Sequence, residues 1–283
     1  MPDKQIGIIG AGKVGVSLGK YFCQHGLQVR GFYSRTSASA EFAAEFTGTK
    51  VFSTYGDMVK ECNVLFLTVP DGQIASVWQQ LKTETLAGKI ICHCSGSLSS
   101  DIFSDIDKCG AFGYSIHPLY AIHSKTASYR ELSQVLFTIE GSPEHLKEMQ
   151  EFFMDLGNSV QVMDRKDKVR YHAAASMVSN QMIGLYACGV DLLEQCGFQR
   201  ENAAQVLFGL AKGNLDAVGE KGMADALTGP VERGDTATVE KHLEALAVTP
   251  EIYDVYRALT KKLLPIAKEK NPERDYRAMA ELV

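Results

Sequence analysis

The sequence predicts an α/β protein in which a doubly wound, mostly parallel sheet is followed by an all-helical second domain. Three observations carry that prediction. First, the apolar run Gln5-Ile6-Gly7-Ile8-Ile9 leads directly into Gly10-Ala11-Gly12-Lys13-Val14-Gly15 and then into the helix-like Val16–Phe22. Second, as far as residue 163 short β-rich runs alternate with helical stretches, the rhythm of parallel strands joined by crossover helices. Third, the texture changes after Asp164: residues 166–197 contain no proline, and their apolar residues recur at helical spacing over a length too great for a strand.

Strands are expected at Gln5–Gly10, Gln28–Ser34, Val64–Val69, Lys89–Ser95, Gly113–His117, Val135–Glu140 and Ser159–Val162, with helices between most of them. Runs such as Asn63-Val64-Leu65-Phe66-Leu67-Thr68-Val69 are continuously apolar, as a strand covered by helices on both faces requires. In the second half one long helix is expected from Lys166 to Gly197. Further helices follow near Gln199–Gly219, Thr236–Leu246 and Pro250–Glu269, punctuated by Gly219, Gly222, Gly229, Pro230 and Pro250. The domain boundary is placed at 164/165, giving residues 1–164 and 165–283. The charged Lys261-Lys262 and Lys268-Glu269-Lys270 read as a solvated helix face.

Composition narrows the function classes. A chain of 283 residues buries a sizeable core without disulfide staples. No apolar run approaches the roughly 18 residues of a membrane span, and no basic and apolar leader precedes the first strand, so a soluble, cytoplasmic protein is expected. Its seven cysteines, at 23, 62, 92, 94, 109, 188 and 196, are odd in number and lack CxxC spacing, which suits reduced thiols. The net charge of −5 argues against a nucleic-acid partner and leaves a small-molecule substrate, neutral or anionic, to be decided by local groups. No metal site is expected: Cys92, His93 and Cys94 are consecutive in a strand and point to alternate faces.

The glycine turn is built to cradle a pyrophosphate. Gly10 permits the tight turn, Gly12 lets backbone N–H groups approach, and Gly15 lets the helix pack closely on the strand, so the anion sits on the helix N-terminus. Gly10, Ala11, Gly12, Lys13, Val14 and Gly15 are therefore cofactor-binding candidates, and the sheet is a Rossmann sheet. A carboxylate at the end of the second strand would hold the ribose hydroxyls of NAD. That place reads Tyr33-Ser34-Arg35-Thr36, and Ser34, Arg35 and Thr36 suit the 2′-phosphate of NADP.

The remaining candidates end the next strands, because ligands of open α/β sheets lie beyond the strands' carboxyl ends. Val69 and Pro70 are expected to wall the nicotinamide side, with Asp71 and Gln73 as loop caps or site residues. In His93-Cys94-Ser95-Gly96-Ser97-Leu98-Ser99-Ser100, Ser95 and Ser97 can orient the substrate or an imidazole, and Ser95 can also reach the cofactor; Ser99 suits a helix cap, and His93 reads as a core residue packed on a covering helix. His117, in Tyr114-Ser115-Ile116-His117-Pro118, is the acid–base candidate on the strength of an unperturbed pKa of about 6.5. On the long helix Lys168, His172, Ser176 and Asn180 form a polar stripe that either faces water or lines a substrate cleft. Ser176 and Asn180 would hydrogen-bond there, and Lys168 or His172 would supply charge. In Leu227-Thr228-Gly229-Pro230-Val231-Glu232-Arg233-Gly234-Asp235, Asp235 is a candidate N-cap, while Thr228 and Arg233 either reach the site or belong to a capped turn.

Taken together, Gly10/Gly12/Gly15, Ser34-Arg35-Thr36, Cys94-Ser95-Gly96-Ser97, His117-Pro118, Tyr171-His172-Ala173-Ala174-Ala175, Ser179-Asn180 and the Leu227–Asp235 segment resemble a Rossmann-like family of NADP oxidoreductases with a C-terminal helical domain of unknown function. That family lies in a wider group with pyrroline-carboxylate reductase, ketopantoate reductase and the β-hydroxyacid dehydrogenases. The resemblance implies NADPH use, a site between the domains and a homodimer through the helical domain, and names no substrate. Ser95 or Ser97 with His117-Pro118 is similar to elements of prephenate dehydrogenases, where that histidine serves the substrate hydroxyl. The β-hydroxyacid dehydrogenases carry a catalytic lysine one turn before an asparagine; the matching place before Asn180 holds Ser176, which removes that lysine and favours His117. The expected activity is hydride transfer between the nicotinamide and a small carbonyl, imine or hydroxy acid. An NADP-responsive binding protein without redox turnover and a deazaflavin-dependent NADP reductase stay open as alternatives.

Overall fold

Eight strands form a single sheet in the computed structural model, which describes residues 4–283. They are β1 (Gln5–Ile9), β2 (Gln28–Tyr33), β3 (Lys50–Val51), β4 (Val64–Leu67), β5 (Ile90–His93), β6 (Phe112–Pro118), β7 (Phe137–Gly141) and β8 (Val160–Val162). The order is β3-β2-β1-β4-β5-β6-β7-β8, parallel throughout except for the antiparallel β6/β7 pair. Each of the seven expected strands is present. The additional β3 is a two-residue edge strand, too short to leave a periodic signal. The strand order reverses between β1 and β4, the switch point at which open α/β sheets take ligands.

Helices α1 (Lys13–Gln24), α2 (Ser37–Thr47), α3 (Tyr55–Glu61), α4 (Asp71–Leu81), α5 (Leu146–Asp155) and α6 (Lys168–Val178) accompany this sheet. Alternation along β4 shows why its sequence is uninterruptedly apolar. Val64 and Phe66 enter one core with Phe22, Phe152 and Phe153, whereas Leu65 and Leu67 enter a second core with Met58, Trp78 and Phe103. Both faces of the central strands are thereby dry, and each fully buried large side chain contributes about 1.5–3 kcal/mol.

Contacts divide the chain into two units, Met1–Val178 and Ser179–Val283. The second is entirely helical: α7 (Asn180–Gln195), α8 (Arg200–Ala226), α9 (Pro230–Arg233), α10 (Thr236–Leu246), α11 (Pro250–Lys270) and α12 (Arg277–Leu282). Among the described residues no helix is long and apolar enough to cross a membrane. Asp235 caps α10, its carboxylate accepting the Thr238 N–H at 3.1 Å and hydroxyl at 2.7 Å. Gly229 (φ 98°) and Gly234 (φ 70°) bracket α9 in conformations that favour glycine. Between them, Glu232 accepts from Asn271 at 2.7 Å and Arg274 at 3.3 Å, so this segment braces the end of α11.

Three further features differ from the sequence-based expectation. The helix expected over 166–197 is two helices, because at Ser179 the backbone departs from helical geometry (φ −110°, ψ −77°) before α7 begins. No Gly or Pro marks that break, so the apolar period runs through it. The expected boundary at 164/165 also precedes α6, whereas α6 belongs to the first unit, to which Lys168 and Tyr171 bind it. Finally, α8 continues past the expected end at Gly219, to Ala226, with a kink at Gly222 (φ 82°).

Candidate active site

The turn after β1 has little steric freedom. Gly10 adopts φ 110°, and a Cβ there would lie 2.9 Å from the backbone of Thr68. A Cβ on Gly15 would lie 2.2 Å from the Gly10 carbonyl oxygen and 2.4 Å from the Thr68 hydroxyl, which itself donates to that carbonyl at 2.8 Å. Gly12 is different: a Cβ there would meet nothing within 4 Å. It stands at the N-cap of α1, where no side chain caps the helix and no acidic residue occupies the first turn. The opening N–H groups of α1 are thus placed for an anion.

A cavity of about 400 Å³ opens beside this turn. Gly10, Ala11 and Gly12 form one wall, Ser34, Arg35 and Thr36 another, and Val69 and Pro70 a third. Lys13 and Val14 lie in the first turn of α1, and Gly15 packs beneath it. Ser95 does not line the cavity. Lys125 does, from the loop after β6, 90 positions beyond Arg35, and nothing in the sequence signals its arrival. The lining contains Arg35 and Lys125 and no carboxylate. A pyrophosphate cradle continuous with a basic, carboxylate-free wall fits a dinucleotide carrying an additional phosphate.

At the next strand ends, hydroxyls converge on Asp71, the first residue of α4. Its carboxylate accepts from Ser95 Oγ at 2.6 Å and from Ser97 Oγ at 3.2 Å. Ser95 Oγ in turn accepts the N–H groups of Ser97 (3.2 Å) and Leu98 (3.0 Å), which closes the turn after β5. Ser99 caps a short 3₁₀ helix, and the buried Glu140 carboxylate accepts the Ser100 N–H and hydroxyl at 2.7 and 2.8 Å. His93 is buried: Nδ1 accepts the Ser95 N–H at 3.2 Å, Nε2 donates to the Ser99 carbonyl at 3.1 Å, and the ring packs on Phe103. Among the described residues, no group of three or more His, Cys, Asp or Glu is placed to hold a metal ion.

His117 is half-buried at the end of β6, with Nδ1 2.7 Å from the Tyr171 hydroxyl. Its Nε2 lies 3.0 Å, and His172 Nδ1 2.6 Å, from the position a Cβ on Gly96 would take. Lys168 is 1% exposed; its ammonium donates to the Ser95 carbonyl at 2.9 Å and sits 5.7 Å from the centre of the Tyr171 ring. Burial pulls the Lys168 pKa down to about 8, against the opposing pull of Glu140, Cys94 and Asp71. His117 is lowered to about 4 by burial, reinforced by Lys168, His172 and His93 and opposed by Asp71. This corrects the expectation of an imidazole poised near 6.5, because burial moves its titration well below neutral pH.

The structure therefore gathers Asp71, Ser95, Gly96, Ser97, His117, Lys168, Tyr171 and His172 into one cluster of the first unit. Ser176 follows His172 by one turn on α6. Asn180 opens α7 in the second unit, where its side-chain oxygen accepts the Ser179 hydroxyl at 3.1 Å. Tyr171 and Gly96 were present in the sequence only as members of motifs.

The two depressed histidines have a consequence for stability. In the unfolded chain His93 and His117 take up protons near pH 6.5, whereas both native rings resist protonation down to about 4. Between those values the unfolded state binds more protons, so their stabilising contribution, complete above about pH 6.5, is lost as pH falls toward 4. Thermal melts from pH 7.5 to 4 are expected to show a falling midpoint, less steep in His117→Asn; parallel curves for the two proteins would contradict the assignment to His117.

Residues 1–118 match a Rossmann-like domain, and residues 135–263 match a domain of unknown function, DUF2520. No curated protein matches the chain. Protein TM1727 from Thermotoga maritima is similar at 26% identity, over 94% of this chain and 99% of that one, with a TM-score of 0.75. The "putative NADP oxidoreductase BF3122" from Bacteroides fragilis is similar at 22% identity, over 93% and 98%, with a TM-score of 0.72. The reductive aminase from Aspergillus terreus, solved with NADPH and ethyl-5-oxohexanoate, shares the fold at 16% identity, over 99% and 98%, with a TM-score of 0.65. The chain thus joins a Rossmann-like domain to a DUF2520 domain, in a fold it shares with these structures over nearly its whole length.

Proposed function

We propose that the protein is an NADP-dependent oxidoreductase acting on a small carbonyl, imine or hydroxy acid. The observation that carries the reading is the cavity of about 400 Å³ that joins the Gly10–Gly12 cradle to Arg35 and Lys125 without an intervening carboxylate. Gly10, Ala11, Gly12, Lys13 and Val14 would hold the pyrophosphate, Ser34, Arg35 and Thr36 the 2′-phosphate, and Val69 and Pro70 the nicotinamide side. When bound, the cofactor supplies or accepts the hydride. The chain's own residues do the rest: His117 meets the reacting polar atom of the substrate, and Asp71 with Ser95 and Ser97 holds the turn that carries Gly96 beneath it. Ser176, one turn beyond His172 on α6, adds a hydrogen bond to the substrate in this reading. Fold similarity to a reductase solved with NADPH supports the same activity class.

The active form in this proposal is a cytoplasmic homodimer joined through the helical unit. Its support is the large apolar surface that α7 and α8 leave open, with Ile183 66%, Phe208 63% and Leu210 63% exposed. The cofactor assignment is tested by titrating NADPH and NADH into the wild type and Arg35→Asp. Wild type is expected to prefer NADPH. The variant is expected to lose about 10- to 100-fold of that affinity, the worth of one charge-assisted contact, with NADH affected far less. Equal loss of both cofactors would refute the phosphate role of Arg35, and wild type binding neither would end the oxidoreductase reading.

A further inference from the structure

We infer that the substrate atom served by His117 is a hydrogen-bond acceptor, the oxygen of a carbonyl rather than the nitrogen of a protonated imine, because Tyr171 fixes the imidazole with its hydrogen on Nε2. The inference deepens the oxidoreductase reading and rests on it.

The argument begins at the 2.7 Å contact between the Tyr171 hydroxyl and His117 Nδ1. Burial pushes the Tyr171 pKa above its ordinary value, so the phenol keeps its hydrogen at neutral pH. A phenol is a stronger acid than a neutral imidazole N–H, and an imidazole nitrogen is far more basic than a phenol oxygen. The hydrogen bond therefore runs from Tyr171 to Nδ1, which occupies that lone pair and leaves the single ring hydrogen on Nε2. The ring stays uncharged because its pKa lies at about 4.

Nε2 faces the space above Gly96 that any larger residue would fill: an added Cβ would lie 3.0 Å from it and 2.6 Å from His172 Nδ1. The other groups around His117 are Lys168 and His172 from α6, His93 from β5, Asp71 from the start of α4, and Thr138 opposite it in the β6/β7 register. Asp71, the one anion in this set, already accepts the hydroxyls of Ser95 and Ser97. A protonated imine would bring a second N–H donor and a second positive charge to a place that already presents Nε2–H and the Lys168 ammonium. A carbonyl oxygen accepts from Nε2–H, and the negative charge it gains on reduction is favoured by the same ammonium.

The step balances. Hydride from the reduced nicotinamide forms the new C–H bond, the C=O π pair moves to oxygen, the carbonyl gains two electrons and the nicotinamide loses them. The oxygen takes the Nε2 proton as Nδ1 takes the Tyr171 hydroxyl proton; once the product alcohol has left, a solvent proton returns to Nε2 and Nδ1 gives its own back to Tyr171, which restores the starting tautomer.

Long-range proton–nitrogen NMR of ¹⁵N-histidine-labelled protein, with His117 assigned through His117→Asn, reads the ring directly in the free and NADPH-saturated protein. An uncharged Nε2–H tautomer at pH 7 that becomes a mixture of tautomers in Tyr171→Phe is the expected result; an Nδ1–H tautomer or a charged ring would overturn the inference. In parallel, NADPH oxidation is followed with aldehydes and 2- and 3-oxo acids against cyclic imines. Turnover confined to the carbonyl compounds is expected, and turnover confined to the imines would overturn the inference. If calorimetry detects no NADPH binding, the oxidoreductase reading fails and this inference fails with it, whereas NADPH binding with imine turnover removes the inference alone.

Discussion

Replacing His117 with asparagine is expected to lower turnover by about 10²- to 10⁴-fold, the usual worth of a positioned proton-transfer group, while NADPH affinity is retained. The separation follows from place: His117 ends β6 among Tyr171, His172 and Gly96 and takes no part in lining the cavity beside the glycine turn, where the cofactor is proposed to bind. In the wild type, activity is expected to hold as pH falls through 6.5 and to decline only toward about 4, where the ring takes a proton on Nδ1 and Tyr171 is displaced. Steady-state rates from pH 8 to 4, measured on the best carbonyl substrate, check both statements. An acid limb near 6.5 would mean that burial and Lys168 do not govern the ring. Loss of NADPH binding in His117→Asn would make the residue structural.

The second large effect concerns two glycines of one motif that are expected to fail in opposite ways. Gly15→Ala places a methyl 2.2 Å from the Gly10 carbonyl and 2.4 Å from Thr68 Oγ1, so α1 must move off β1. Overpacking of this kind costs about 1–3 kcal/mol, and because the displaced helix start is also the anion cradle, NADPH affinity should fall by at least about 100-fold, two pyrophosphate hydrogen bonds' worth. Gly12→Ala meets nothing within 4 Å. Its melting temperature should stay close to that of the wild type, and its affinity should fall because the methyl stands where the pyrophosphate must approach. Thermal melts and NADPH titrations on both variants separate packing from access. If Gly12→Ala binds NADPH as the wild type does, the pyrophosphate does not lie against this turn.

The sheet was legible because its signals are local. Each of the seven expected strands is an apolar run bounded by turn residues, and the central ones are dry on both faces, as Val64-Leu65-Phe66-Leu67 shows. Lys50–Val51 escaped because two residues carry no period, and the α6/α7 break at Ser179 escaped because no Gly or Pro marks it. The cavity wall at Ser34, Arg35 and Thr36 stands at the offset after the glycine turn where the sequence directs attention, whereas Lys125 reaches the same cavity through a loop whose path depends on tertiary packing. The polar stripe of α6 was visible at its i, i+4 spacing, but spacing does not tell which face is buried. Lys168 read equally well as a solvated first-turn residue, and its role depends on the Ser95 carbonyl, 73 positions away. The charge state of His117 was likewise out of reach, since it follows from burial and from lysine and histidine neighbours on another element.

The antiparallel β6/β7 pair has a bearing on how this chain can be divided. Pairing between β5 and β6 ends at His93 and Ser115, so Ile116, His117 and Pro118 are held in the sheet by β7 alone. Yet the Rossmann-like match stops at residue 118, and β7, β8 and α6 fall within the DUF2520 match that begins at 135. A fragment cut between the two matches would turn β6 into a naked edge, open to pairing with other chains, and would strip His117 of Thr138 and Tyr171. The two sequence matches meet inside a single hydrogen-bonded ladder, and the His117 end of β6 is their joint product, which neither half could carry into another protein by itself.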